Sequence, residues 1–245
     1  MKKAIIRILV ALFVIVVVAV VAVGLFLDSA IKKGVETVGP KITKVDIKLN
    51  GVSLSLLSGS GKVNGLVIGN PEGYKTPQAI SVGSASVAVK IGSVWSDKIV
   101  VRSVRVEAPD ITLEGGLGGN NLSKILDNVN EFTGGSSSDK KYEVDEFLIT
   151  GAKLHLSLTG MGGRALPILL PNIHLADLGK DSNGITLAEL TKKVMQAVLA
   201  GTTKAAAGAV TDLGKGAANA AVGAGKTATE SVGKAAKGIG GLFKK

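Results

Sequence analysis

The feature that most constrains this chain is an uninterrupted apolar segment, Ile8 to Leu27, near its N-terminus. Lys2, Lys3 and Arg7 precede it and Asp28 ends it. At a helical rise of about 1.5 Å per residue, its length matches a hydrocarbon core of about 30 Å. We therefore predict a single transmembrane helix. The alternative, a cleaved secretory signal peptide, has an apolar core of only about 7–15 residues. The anchor residues are Ile8, Leu12, Phe13, Ile15, Leu25, Phe26 and Leu27.

The charges around this segment predict its orientation. Cations before a span favour a cytoplasmic N-terminus, although Lys32 and Lys33 follow this one. In a bacterium the main domain would then lie in the periplasm, so we expect a single-pass protein of the inner membrane. The chain has no cysteine. An oxidising compartment permits disulfides without requiring them, so this agrees with the periplasm without proving it.

Strand patterns begin soon after the anchor. Apolar and polar residues alternate on both sides of Asn50-Gly51, the dipeptide most typical of a tight hairpin turn. We predict a hairpin with six apolar side chains on one face: Val45, Ile47, Leu49, Val52, Leu54 and Leu56. Further extended segments are predicted at 61–69, 79–91, 98–107, 110–114, 142–150, 153–158 and 164–177. The apolar phase of 79–91 changes at Gly83, where we expect a β-bulge.

Helices are predicted in three places. Residues 28–40 continue the anchor as a stalk that stops at Gly39-Pro40. A short helix starts at Asn120 or Asn121, with Leu122, Ile125, Leu126 and Val129 on one side. Thr186 and Glu189 form a capping box that opens a helix to about Ala200.

The C-terminal tail differs from the rest in composition. Lys204, Lys215, Lys226 and Lys237 recur every eleven residues, close to three helical turns, and Phe243 lies near the end. One interpretation is a basic amphipathic helix that contacts an anionic membrane surface through these five residues. The other is a disordered tether, because each interior glycine costs about 1 kcal/mol of helix stability.

An internal repeat is weakly indicated. Val106, Pro109, Ile111 and Leu113 align with Ile149, Ala152, Leu154 and Leu156, and each set precedes a helix. We expect four parts: 1–27 cytoplasmic tip and anchor, 28–42 stalk, 43–200 β-rich domain and 201–245 tail. The fold class is α+β, mainly β, with an elongated, curved antiparallel sheet, short helices and a helical or disordered tail.

Several segments in order match a known family. They include Ile68-Gly69-Asn70-Pro71-Glu72-Gly73-Tyr74, Glu107-Ala108-Pro109-Asp110-Ile111 and Leu170-Pro171-Asn172-Ile173-His174. On these motifs and the N-terminal span, the chain resembles short, single-anchor members of the bacterial AsmA family. The resemblance implies a cell-envelope protein with a hydrophobic β groove, linked to outer-membrane assembly and to phospholipid movement. The basic, glycine-rich tail is not part of the family pattern.

No pattern for catalysis, a cofactor or a metal emerges. His155 and His174, the two histidines, alternate out of phase with apolar neighbours. The carboxylates Glu143, Asp145 and Glu146 are typical of a solvated strand, and the glycines of 115–119 lack the ending of a phosphate-binding loop. We therefore predict that the protein is not an enzyme. Nucleic acid is not an expected partner, because the basic chain lacks aromatic platforms for bases.

The apolar strand faces are the candidate binding surface. They form either an ordinary core covered by helices or a groove left open for an acyl chain. The candidate groove residues are Val45, Ile47, Leu49, Val52, Leu54, Leu56, Val87, Val89, Leu154, Leu156 and Leu158. The expected partners are the phospholipid bilayer, a bound lipid and other envelope proteins. The alternative function is a structural envelope scaffold with a closed core and a tail that binds membrane or a partner.

Overall fold

A computed structural model describes residues 26–55, 58–116, 119–133, 140–158 and 166–223. Within these ranges the protein is mainly β, with an open mixed sheet, so the predicted α+β class is confirmed. The strands are β1 Ile47–Ser55, β2 Ser60–Ile68, β3 Ile80–Val89, β4 Lys98–Glu107, β5 Asp110–Gly116, β6 Gly119–Asn120, β7 Lys141–Thr150, β8 Lys153–Leu158, β9 Leu166–Leu169 and β10 Ile173–Leu178. The helices are α1, residues 26–43, α2 Asn121–Thr133 and α3 Leu187–Gly223.

Among the described residues, no helix combines the length and apolarity that a membrane crossing needs. The predicted span lies outside the described residues except for Phe26 and Leu27, which are the first described residues of α1. The anchor therefore stays a prediction.

The sheet divides at β3. β1, β2 and β3 pair antiparallel in sequence order. The later part of β3 pairs with β4, while Ile80 and Ser81 at its start pair with β5. One arm then continues through β4, β7 and β10, and the other through β5, β8 and β9. The prediction of an antiparallel sheet is wrong at two places, because β4 pairs with β7 and β5 with β8 in parallel.

The parallel pairs are the internal repeat. Val106 lies opposite Ile149, Ile111 opposite Leu154, and Leu113 opposite Leu156, as the sequence alignment pairs them. Ala108 and Gly151 occupy equivalent corners and both have positive φ, 45° and 63°. A parallel pair needs a long connection between its strands, which α2 and its flanking loops provide. Two copies of one strand–corner–strand unit therefore lie side by side in register.

The predicted Asn50-Gly51 hairpin is wrong. β1 continues through this dipeptide and pairs along its length with β2. A two-residue type I′ turn needs positive φ at both central residues, and neither has it. The positive φ belongs to Gly65 on β2, and the Asn50 side chain packs over that glycine. Ile47, Leu49, Val52 and Leu54, on the two sides of Asn50-Gly51, consequently lie on one strand.

The expected bulge at Gly83 is also misplaced. The pairing of β2 with β3 stays in register through this position, and the shift occurs against β4 between Ala88 and Val89. Val82 and Ala85 nevertheless belong to one buried cluster. The core therefore continues across the change of apolar phase without a bulge.

Helix α1 is part of the domain and not a free stalk. It runs past Pro40, the predicted stop, to residue 43, where Lys44 with a φ of 55° ends it. Proline removes one backbone donor, but a helix tolerates that loss where packing supports it. Such packing exists at Ile42, which is buried in a cluster with residues of α2 and α3.

Three side chains one helical turn apart fasten α1 to the edge strand β1. The Asp28 carboxylate accepts a bond from the Leu54 amide at 3.0 Å, and Glu36 accepts one from the Leu49 amide at 2.9 Å. Between them, Lys32 Nζ donates to the Asn50 carbonyl at 3.4 Å. These bonds satisfy backbone groups that an uncovered sheet edge would leave open to another strand.

Helices α2 and α3 cover one face of the sheet. Leu122, Ile125 and Val129 of α2 are fully buried, and Leu126 is partly buried, as the predicted apolar side requires.

At the start of α3 the capping box is confirmed. The Thr186 amide donates to Glu189 Oε2 at 2.7 Å, and the Glu189 amide donates to Thr186 Oγ1 at 3.1 Å.

The predicted end of this last helix near Ala200 is wrong. α3 continues to Gly223, past the expected start of the tail, and Thr202 and Ala206 are buried. The segment up to Ala206 packs against the core of the domain, so tertiary contact extends the helix beyond the point suggested by composition.

Candidate functional site

An apolar cavity of about 260 Å³ opens between the start of α1 and the adjacent end of the sheet. Leu27 and Ile31 of α1 form one wall, Leu54, Val87 and Val89 form the floor, and the loop after β3 forms the other wall. The loop contributes Ile91, Val94 and Trp95; serine and glycine at 55 and 59–61 complete the lining. No charged side chain lines this cavity.

A second cavity of about 450 Å³ lies at the same strand ends but on the opposite face of the sheet. Leu54, Gly61 and Val87 are paired across β1, β2 and β3 and face the first cavity, whereas their neighbours along each strand face the second. Serines from β1, β3 and β4 line the second cavity, together with Lys62. Small-ligand pockets commonly measure roughly 300–1,000 Å³. The two cavities are therefore separate, an apolar one on the face covered by helices and a more polar one on the other face.

The loop of residues 90–97, here called the tryptophan loop, has a fixed shape. Ser93 is buried, and its hydroxyl donates to the Lys90 carbonyl at 2.6 Å and accepts from the Val100 amide at 2.9 Å. The Ser96 hydroxyl lies 2.8 Å from the Ser93 carbonyl and 2.6 Å from the Lys98 carbonyl, and it donates its one proton to either. These local bonds hold the polar side of the loop inward and leave Val94 and Trp95 exposed.

The predicted groove residues fall into separate environments. Leu54, Val87 and Val89 line the cavity, and Ile47 is partly buried under Gly39 of α1. Most of the others are buried: Val45, Leu49, Val52, Leu154 and Leu156. Leu56 and the side chain of Leu158 lie outside the described residues. The structure thus brings three predicted residues to an open surface, whereas the β5–β8 face is a core closed by α2.

The motif Ile68 to Tyr74 leads into a polar network. The Glu114 carboxylate accepts bonds from the Lys75 amide at 2.7 Å and from the Thr76 amide and hydroxyl at 2.6 and 2.5 Å. Asn121 accepts from the Glu114 amide and donates to Asn70 Oδ1 at 2.7 Å and to the Thr112 carbonyl. This network ties the loop after β2 to β5 and α2, so its role is structural.

The network changes the acidity of two groups. Burial raises the pKa of Glu114, but the hydrogen bonds from Thr76 and Lys75 and the Lys75 charge outweigh it and lower the pKa overall. Nearby, burial first, then the charges of Glu114 and Asp127, raise the pKa of the Tyr74 hydroxyl. Both groups therefore keep their usual ionisation at neutral pH, which is not the pattern of an acid–base pair.

The histidines and the paired carboxylates form separate surface contacts. His155 Nε2 lies 3.0 Å from Asp110 Oδ1, and His174 Nε2 lies 3.7 Å from Glu146 Oε1. Glu143 pairs with Lys98 at 2.6 Å. In the described part of the chain, no group of three or more potential ligands could hold a metal ion.

The tail residues are only partly placed. Lys204 is exposed on α3, and Lys215 lies in the same helix. Lys226, Lys237 and Phe243 lie outside the described residues, so their membrane role stays a prediction.

The cavity residues of this loop that the sequence did not predict are Ile91, Val94 and Trp95. The segment Gly92-Ser93-Val94-Trp95-Ser96 has the composition of a turn, and strand alternation gives no reason to select it. The available signal was an apolar pair with the chain's single tryptophan inside a serine-rich turn, where polar residues are usual.

The chain matches no protein-family model, no curated protein and no solved structure. The resemblance to the AsmA family accordingly stays a prediction from the quoted motifs.

Proposed function

We propose that this protein is a non-enzymatic, membrane-anchored envelope protein of AsmA type that binds phospholipid. Its anchor would hold it in the bacterial inner membrane with the N-terminus in the cytoplasm and the main domain in the periplasm. The sheet would be one end of an elongated, curved, lipid-facing surface that contributes to membrane biogenesis.

The observation that carries the proposal is the apolar cavity beside α1. Its walls combine Leu27, the last residue of the predicted anchor, with Val87 and Val89 of the sheet. An acyl chain could enter it directly from the bilayer boundary, without crossing water. Transfer of apolar surface out of water is worth about 25 cal/mol per Å², and the lining has no charge that would oppose it.

The second cavity does not hold the other end of such a ligand. Lys62 and the hydroxyl groups of Ser53, Ser86 and Ser103 lie on the opposite face of the sheet from Leu54 and Val87. The proposal therefore assigns only an acyl chain to the apolar cavity. Binding alone would suffice for the proposed role, with no bond made or broken.

The test is phospholipid retention by the full-length protein extracted in mild detergent. Val87→Glu places a carboxylate in the apolar cavity and is expected to reduce bound phospholipid several-fold, as measured by lipid mass spectrometry. Val67→Glu is the matched control, because Val67 is also a half-buried strand valine but lines neither cavity.

Both variants must keep the wild-type far-UV circular dichroism spectrum. Lipid that surrounds the anchor would be retained equally by all three proteins, so the difference between the variants is decisive. Equal retention by Val87→Glu and Val67→Glu would reject the proposed cavity site.

The alternative, a structural scaffold, is favoured by one observation. Ile111 and Leu154 are buried under α2, so this face of the sheet is closed to ligands. The scaffold would act through the tail, and deletion of residues 212–245 would then remove the part of liposome binding that depends on anionic lipid, while insertion of the anchor stays unchanged. The deletion must not begin at 201, because Thr202 and Ala206 are buried in the domain.

A further inference from the structure

We propose that the tryptophan loop is a second membrane contact, which inserts Trp95 into the interfacial layer of the same bilayer that holds the anchor. This inference rests on the membrane anchor of the proposed function but not on lipid in the cavity. The occupant of the loop's outer surface is a phospholipid bilayer.

The first argument is the amount of apolar surface in one place. Trp95 is 87% exposed, and Val94 and Ile91 are 43% and 41% exposed. Ile31 of α1, at 39%, lines the same cavity, and Phe26, the first described residue of α1, is 73% exposed. Single exposed apolar side chains are normal on soluble proteins, but a contiguous group indicates an interaction site.

The second argument is that the loop is built to keep this surface outward. The Ser93 hydroxyl donates to the Lys90 carbonyl, and the Ser96 hydroxyl lies within hydrogen-bond distance of the Ser93 and Lys98 carbonyls. The Lys90 amide also donates to the Val100 carbonyl at 2.9 Å. Because the loop is already ordered, inserting Trp95 into a membrane costs little backbone entropy.

The third argument is position relative to the predicted span. The apolar run of the sequence ends at Leu27, and Leu27 and Trp95 line one cavity. The chain therefore leaves the predicted hydrocarbon core at the level of the tryptophan loop. Tryptophan is enriched at this depth of membranes, because its ring is apolar while its indole N–H prefers water or headgroups.

The fourth argument is charge. Lys90 and Lys98 border the loop, and Arg102 donates to the Val89 carbonyl at 3.2 Å. Lys140 donates to the Ser96 carbonyl at 2.7 Å. The acidic residues beside these four cations are Asp97 and Glu143, which pairs with Lys98 at 2.6 Å. This excess of cations around an apolar centre is complementary to the anionic lipids of a membrane surface.

The chain's single tryptophan makes a direct test available. The full-length protein is reconstituted in vesicles of zwitterionic and anionic phospholipid that carry bromine either near the headgroup end of the acyl chains or near their ends. We expect brominated lipid to quench Trp95 fluorescence, with stronger quenching from bromine near the headgroup. Absence of quenching, or stronger quenching from deep bromine, would overturn the proposed interfacial position.

A lipid inside the cavity could also quench Trp95, and two variants separate the sources. Val87→Glu is expected to leave quenching unchanged, whereas Val94→Glu should reduce it at least twofold. Leu169→Glu, on a β9 leucine that is 71% exposed, is the control for a charge on a surface leucine. Loss of quenching in Val87→Glu would refute membrane insertion of the loop while supporting lipid binding in the cavity.

Discussion

Replacement of Glu114 by glutamine is the sharpest test of how the loop after β2 is held. The carboxylate lies at the centre of three hydrogen bonds, two from the Thr76 amide and hydroxyl and one from the Lys75 amide. Glutamine has the same shape but carries one acceptor oxygen and one donor group. Whichever way the amide turns, its NH₂ group faces a backbone N–H.

The magnitude follows from these contacts. A hydrogen bond to a charged group contributes about 1.5–3 kcal/mol, and an unpaired buried donor costs about 1–3 kcal/mol. Since at least one such bond is lost, we expect Glu114→Gln to lower the free energy of unfolding by about 3 kcal/mol. Glu72→Gln, in the same loop but exposed, should change it by less than about 0.5 kcal/mol.

The pH dependence gives a second, independent result. Because the folded pKa of Glu114 lies below its unfolded value, its contribution is present above the unfolded pKa and is lost as pH falls through the folded pKa. The difference in stability between wild type and Glu114→Gln should therefore be constant near neutral pH and shrink below about pH 4.

The assay is chemical denaturation of the full-length protein in detergent at several pH values. Far-UV circular dichroism monitors the unfolding. If Glu114→Gln were as stable as Glu72→Gln at pH 7, the network would not hold the loop. A difference that persisted unchanged at the lowest pH would show that the carboxylate charge is not its origin.

Three further changes test the packing of the helices. Thr186→Ala removes the cap of α3 and should lower the free energy of unfolding by about 1 kcal/mol, whereas Thr186→Ser should restore most of it. Ile125→Ala should lower it by about 2–5 kcal/mol because Ile125 is fully buried, with exposed Lys124→Ala as the control. Glu36→Ala should speed hydrogen exchange of the Leu49 amide several-fold, while distant core amides keep their wild-type rates.

Each of these expectations has a clear contrary result. No loss of stability in Thr186→Ala would mean that packing alone fixes the start of α3. Equal losses of stability in Ile125→Ala and Lys124→Ala would mean that Ile125 of α2 does not pack in the core. Unchanged exchange at Leu49 in Glu36→Ala would mean that α1 does not cover the edge of β1.

Local sequence patterns predicted correctly those strands and helices whose ends are marked by a turn or capping signal in the sequence. The bounds 98–107 and 153–158 agree with β4 and β8, and the capping box at Thr186 marks the start of α3. The hairpin prediction was wrong because pairing with β2 overrides the strong local turn signal at Asn50. The positive φ that was expected at Asn50-Gly51 occurs at Gly65 of β2. The predicted end of α3 was wrong because amino-acid composition does not reveal that Thr202 and Ala206 are buried.

The candidate site was less predictable than the fold. Alternation identifies an apolar face, such as that of Leu154, but not whether a helix covers it. Only the three-dimensional arrangement separates buried Leu154 from Val87 in the cavity wall. Trp95 has no periodic neighbours, so its importance depends on α1 lying beside it.

The parallel register of the two strand–corner–strand units has a consequence for how such a sheet can grow. A unit that pairs in parallel with a copy of itself leaves, on its far side, the edge to which a third copy could bond in the same way. In this chain β10 and β9 occupy those two edges in antiparallel orientation. They therefore act as terminators, and a longer chain could lengthen the sheet by whole units inserted before them, with its cross-section unchanged.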